Sequence, residues 1–121
     1  MGKKILVVDD NEIDLLIIRR YLIQAGYLDV ITAGDAGDGI QKAKAEQPDL
    51  VVLDTLLPGT SGFEVCQALR RQFGPQHPKI VIVTGSIDAV DAVKARKVGA
   101  DDYCAKTSDC APLLEAIKKL M

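Results

Sequence analysis

Ile5-Leu6-Val7-Val8-Asp9-Asp10 and Leu50-Val51-Val52-Leu53-Asp54 decide the fold of this chain. Each is a short apolar run that closes on acid. Neither run alternates with polar residues, so a strand built from it is buried on both faces, as in a parallel sheet covered by helices. If the two strands are neighbours, Asp9, Asp10 and Asp54 meet at one edge of the sheet. Carboxylates sharing a small volume repel, and each resists ionisation unless a cation sits among them. Packing has no need of that arrangement, so the three acids read as a site.

Outward from these runs, further apolar segments lie at 30–31, 80–83 and 100–104. The stretches between them have helical spacing. Residues 13–24 carry a broad apolar stripe that includes Ile13, Leu16 and Ile17 and stops before Gly26, a C′ residue. Residues 37–46 are held by Ile40, Ala43 and Ala45, and Pro48 ends them. Ser61-Gly62-Phe63-Glu64 has capping-box spacing and opens a helix that runs to Phe73, before Gly74-Pro75. Ile87, Val90 and Val93 mark a fourth helix ending before Gly99, and Leu113, Leu114, Ile117, Leu120 and Met121 share one face of a fifth. Strand and helix alternate throughout, which defines a single α/β domain over 1–121 with a parallel sheet and helices on both faces.

Bulk properties exclude several classes. A chain of 121 residues forms one compact domain, and 48% apolar content without Trp requires an aliphatic core. A net charge of −2 gives no basic excess for nucleic acid or an anionic membrane, and no apolar run approaches a membrane span or the h-region of a signal peptide. A cytoplasmic location is expected. Cys66, Cys104 and Cys110 lack metal-ligand spacing and are read as reduced, small apolar side chains, with Cys110 exposed.

Ligands of open parallel sheets bind at the carboxyl ends of the strands. Asp9, Asp10 and Asp54 follow their strands and lie on that edge, as do Thr84 and Lys106. Asp49 precedes its strand and Asp101-Asp102 begin theirs, so they are read as solvated or structural at the opposite edge. His77, the one histidine, enters a strand at its amino end and is read as a solvated loop residue. Asp10 is also placed to help cap the first helix. The residues on the carboxyl edge suit phosphoryl transfer onto a carboxylate. A hard cation, Mg²⁺ or Mn²⁺, is expected on Asp10, Asp54 and a loop carbonyl. Asp54 is the oxygen nucleophile, while Lys106 and the Thr84 hydroxyl face the remaining phosphoryl oxygens.

Over essentially its whole length the sequence resembles the receiver domains of bacterial two-component response regulators (CheY-like). The residues that carry the resemblance are Ile5 to Asn11, Asp54 with Leu57-Pro58-Gly59 and Gly62, Thr84, and Gly99-Ala100-Asp101-Asp102-Tyr103 leading to Lys106. The resemblance implies a doubly wound, five-stranded sheet of order 2-1-3-4-5 with five helices. It implies that Asp54 accepts a phosphoryl group from a phosphohistidine on a sensor histidine kinase or histidine phosphotransfer protein. Asp10 would hold the metal directly and Asp9 mainly through water, with the Leu56 carbonyl as a further ligand. Thr84 and Tyr103 would switch together and remodel the surface of the fourth helix, fifth strand and fifth helix for a downstream protein. Such a domain is a phosphoacceptor, not an enzyme, and a monomer or a weak phosphorylation-dependent dimer. From sequence alone Tyr103 reads as a half-buried strand aromatic with its hydroxyl in water.

Two positions depart from the family pattern. Thr107 follows Lys106 where the family usually has Pro, so a trans Lys106–Thr107 bond is expected, and Gly85 stands where a small residue such as Ala is common. Leu56 is apolar and placed to screen an attacking water, which predicts a slowly hydrolysed aspartyl phosphate. A pseudo-receiver that docks partners without phosphorylation is the alternative. A dehalogenase-like phosphatase would need an acid at Leu56, and a flavin binder would need a small, hydroxyl-rich loop at Pro58-Gly59. The start at Met1 suggests an N-terminal domain, either stand-alone or cut from a longer regulator.

Overall fold

Residues 3–121 are described by a computed structural model of the chain. Its elements follow in order as β1 (Lys4–Val8), α1 (Glu12–Gln24), β2 (Asp29–Ala33), α2 (Ala36–Glu46) and β3 (Leu50–Asp54). A short hairpin follows, β4 (Leu56–Leu57) and β5 (Thr60–Ser61). The chain then forms α3 (Gly62–Phe73), β6 (Lys79–Thr84), α4 (Ala89–Lys97), β7 (Asp102–Ala105) and α5 (Ala111–Leu120). The main sheet is five-stranded and parallel in the order β2-β1-β3-β6-β7, which is 2-1-3-4-5 when the hairpin is set aside.

Because successive residues of a strand point to opposite faces, each apolar run feeds two cores. Leu6, Val8, Val51, Leu53, Ile80 and Ile82 face one way and meet Ala43 of α2, Phe63, Cys66 and Leu69 of α3, and Ala95 of α4. Ile5, Val7, Leu50, Val52, Val81 and Val83 face the other way, against Ile18 and Leu22 of α1 and Leu113, Ala116 and Ile117 of α5. The register pairs Val8 with Leu53 and Asp54 with Val83, so the carboxyl ends of β1, β3 and β6 finish side by side.

Helix starts follow local chemistry. Ser61 caps α3 by accepting a hydrogen bond from the Glu64 N–H at 3.2 Å, as its spacing predicts, while the Glu64 carboxylate turns to the Thr60 hydroxyl. The cap of α1 is Asn11, not Asp10: the Asn11 side chain accepts from the N–H groups of Ile13 and Asp14. The apolar stripes expected on α1 and α4 face solvent. Ile13 and Leu16 are each 67% exposed and Val90 is 76% exposed, whereas Ile18, Leu22 and Ala95 make the buried contacts. Both helices carry apolar residues around much of their circumference, and the sheet selects the face whose side chains fit beneath it. Cys110, expected to be exposed, is buried in the α1/α5 core.

Candidate functional site

Four chain segments converge at the carboxyl edge of the sheet. Asp9 leaves β1 and is fully buried, with its N–H donating to the Ala33 carbonyl at 3.0 Å and its Oδ1 accepting from the Asn11 N–H at 2.9 Å. Asp54 ends β3 and is half-buried, and Asp10 is exposed at the rim. A carboxylate oxygen from each of Asp9, Asp10 and Asp54 lies within 4.8 Å of the others. Lys106 follows β7, and its N–H donates to the Thr84 carbonyl at 2.7 Å, which continues the β6–β7 pairing to the site.

The Lys106 ammonium reaches back across the edge. Its Nζ donates to Asp9 Oδ2 at 2.7 Å, Asp14 Oδ2 at 2.9 Å and Asp54 Oδ2 at 3.2 Å. Burial alone would lower the pKa of this amine, but the hydrogen bonds to Asp9 and Asp14 and the charges of Asp54 and Asp9 outweigh burial and hold it above its ordinary value. Asp54 moves the other way for a paired acid. Burial first, and then repulsion by Asp9, push its carboxyl above the usual carboxylate range, and the attraction of Lys106 and the Leu56 N–H only partly offsets them. Asp54 therefore resists ionisation, chiefly through burial and secondly through the charge of Asp9.

The hairpin that follows Asp54 is positioned by two glycines. Gly59 takes a left-handed φ of +71 after Pro58 and lets β4 and β5 turn back. Gly62 packs on the acceptor strand itself: a Cβ there would lie 2.2 Å from the Asp54 backbone oxygen. Leu56 is 77% exposed at the rim beside Asp54.

Thr84 lies at the same edge and is buried, but its hydroxyl does not bond Asp54. It donates to the Ser86 carbonyl at 3.0 Å and accepts from the Ser86 N–H at 3.2 Å. Tyr103 is half-buried, and its hydroxyl is buried without a hydrogen-bond partner, which corrects the expectation of a hydroxyl in water. The ring packs inward against the α2/α3/α4 core. The cis peptide bond among the described residues is His77–Pro78, so Lys106–Thr107 is trans, and Lys106 still reaches Asp54.

The acids set aside from the sequence are structural. Asp49 accepts from the Lys4 N–H at 2.8 Å and lies 3.7 Å from exposed His77. Asp101 accepts from the Ile80 N–H and pairs with Arg70, each at 2.8 Å. Asp102 accepts from the Tyr103 N–H. Burial pushes the Cys66 thiol up to about 11 and the Cys104 thiol up to about 12, so neither is a nucleophile at neutral pH. Asp14 is the site residue that sequence reasoning missed. An acid in the first turn of a helix is expected on dipole grounds alone, and nothing in the sequence points from it to Lys106.

A doubly wound sheet with a triad of acids and a lysine at its carboxyl edge defines a receiver-type fold. The model of the response regulator receiver domain family matches residues 5–118, and the chain belongs to that family. It is 45% identical over 106 residues to the alkaline phosphatase synthesis transcriptional regulatory protein PhoP of Bacillus subtilis (strain 168), a match that covers 88% of this chain and 43% of PhoP. The chain thus spans less than half of that curated relative. Among solved structures, Vibrio cholerae chemotaxis protein CheY4 superposes with a TM-score of 0.92 at 26% identity, with 100% of each chain covered. Thermotoga maritima response regulator protein TrrA, solved in complex with Mg(2+)-BeF, superposes with a TM-score of 0.85 at 32% identity over 98% of this chain and 99% of TrrA. No described helix is long and apolar enough to cross a membrane.

Proposed function

We propose that this domain is a phosphorylation-dependent switch in which Asp54 accepts a phosphoryl group from a phosphohistidine of a sensor kinase or phosphotransfer protein. An Asp54 carboxylate oxygen forms the new P–O bond as the P–N bond to the imidazole breaks, and the imidazole keeps the bonding pair and takes up a proton. The observation that carries the reading is the Lys106 ammonium held 3.2 Å from Asp54 Oδ2 beside two further carboxylates. A fixed positive charge there meets the phosphoryl oxygens without reorganising during the reaction.

Closely set carboxylates are the donor set a hard divalent cation takes, so Asp9, Asp10 and Asp54, with the Leu56 carbonyl, are assigned to Mg²⁺ or Mn²⁺. Asp10 serves directly and Asp9 through water. A bound cation would neutralise these acids and offset the negative charge of a phosphoryl group on Asp54. Thr84 exchanges its Ser86 contacts for the phosphoryl group, and Tyr103, whose hydroxyl has no partner to lose, moves with it. The domain is a cytoplasmic phosphoacceptor, not an enzyme, and signals through protein contacts, as a monomer or weak phosphorylation-dependent dimer.

The test is intact-mass analysis after incubation with a small phosphodonor and Mg²⁺, for the wild type and Asp54→Asn. A single phosphate adduct is expected on the wild type and none on the variant. Exposed, apolar Leu56 gives no polar group to an attacking water, so the adduct should decay slowly once the donor is removed. No adduct on a folded wild-type protein points instead to a pseudo-receiver, and continuous turnover of donor to a phosphatase.

A further inference from the structure

The ammonium of Lys106 has three N–H donors, and they go to three carboxylates with different fates. The reasoning rests on the phosphoacceptor reading above. Asp54 becomes an acyl phosphate, and its contact with Lys106 passes to a phosphoryl oxygen. Asp9 belongs to the acid group within 4.8 Å that is assigned to the cation, so its charge is shared. Asp14 alone lies outside that group. It is carried on the first turn of α1, which the Asn11 side chain fixes by accepting from the N–H of Asp14 itself at 3.0 Å.

We propose that Asp14 is a positioning residue for Lys106: its carboxylate, 2.9 Å from Nζ, keeps the ammonium aimed at Asp54 through metal binding and phosphorylation. The lysine needs such a tether because its own backbone is held on one side only. The Lys106 N–H bonds the Thr84 carbonyl, but the next residue is exposed Thr107, whose hydroxyl turns away to Asp109 at 2.8 Å. A long, flexible side chain fixed only at its root loses rotamer freedom whenever it must reach across a site. Asp14 removes that loss before the phosphodonor arrives.

The experiment measures the rate at which a small phosphodonor, acetyl phosphate, modifies Asp54 in saturating Mg²⁺, by intact mass. Asp14→Ala should react about tenfold more slowly, short of the roughly hundredfold that a full 1 Å misplacement can cost, because Asp9 still holds the ammonium. Asp14→Asn, whose amide oxygen still accepts one N–H, should recover part of the rate. In a Lys106→Ala background, Asp14→Ala should cause no further slowing, because a positioning residue has nothing left to position. Titration calorimetry, chosen because the chain has no Trp, should find Mg²⁺ binding retained in Asp14→Ala. Equal rates for wild type and Asp14→Ala, or the same slowing with and without Lys106, overturn the proposal alone. Absence of an adduct on the wild type overturns the phosphoacceptor reading and this one with it.

Discussion

Asp54 sits between opposing influences, and their balance has a consequence for stability. Its carboxyl is held above the ordinary value of 3.8 because burial and the charge of Asp9 outweigh Lys106 and the Leu56 N–H. Between the ordinary and the raised value the folded state binds more protons than the unfolded one. Stability therefore falls as pH rises through that interval, and the cost is fully present at neutral pH. Asp54→Asn removes the ionisation and leaves Lys106 its bonds to Asp9 and Asp14. In metal-free buffer at pH 7 the variant should unfold at higher urea than the wild type, and the difference should vanish below about pH 3.8. A variant less stable than wild type at pH 7 would mean that the Lys106–Asp54 attraction is the larger effect. The same residue-scale reasoning applies to Gly62, where the 2.2 Å approach of a Cβ to the Asp54 carbonyl leaves no room for a side chain.

Elements are joined by single polar side chains as well as by the cores. Arg70 of α3 donates from Nε to the Gly99 carbonyl at 2.8 Å and from Nη1 to the Pro78 carbonyl at 2.7 Å, and pairs through Nη2 with Asp101 at 2.8 Å. It thereby ties α3 to the turn after α4 and to the entrances of β6 and β7. Arg70→Ala leaves a partly buried carboxylate and three carbonyls, that of Gly74 included, without this donor and should cost roughly 2–3 kcal/mol in urea unfolding. A loss below about 0.5 kcal/mol, the usual size for an exposed surface change, would assign Arg70 no role in holding these elements. Nothing in the sequence marks Arg70 or Asp14, because each meets its partner only after the chain has folded: Asp14 and Lys106 are 92 residues apart. The strands were legible for the opposite reason. Burial on both faces writes itself as an uninterrupted apolar run, and a run that ends in acid also fixes which sheet edge the acid occupies. Helix faces were less so. Val90 and Val93 have the spacing of a buried stripe yet lie in solvent, while Ala95, an inconspicuous residue, packs under α4. Spacing records where apolar side chains align, not whether a partner surface exists to receive them.

At the scale of the whole molecule, the sheet order itself assembles the site. β1 and β3 are adjacent, so the acids after Val8 and Leu53 are forced together, and the fold carries their repulsion whenever no cation is present. A ligand that binds the folded state and not the unfolded chain stabilises the fold by mass action. Free Mg²⁺ at a hundred times its dissociation constant should add about 2.7 kcal/mol. For a chain of 121 residues this is a rise in Tm of roughly 10 °C. Calorimetry or circular dichroism across an Mg²⁺ series should therefore give a Tm that climbs with the logarithm of concentration above the dissociation constant. Asp10→Asn should flatten that climb while leaving the metal-free Tm equal or higher, since it removes one of the repelling charges without touching a core residue. Arg70→Ala should behave oppositely, lowering the Tm at every Mg²⁺ concentration and leaving the slope intact, because its contacts lie at the other edge of the sheet. If instead the wild-type Tm is indifferent to Mg²⁺, the acids are not a cation site, and the crowding at the ends of β1 and β3 has another cause.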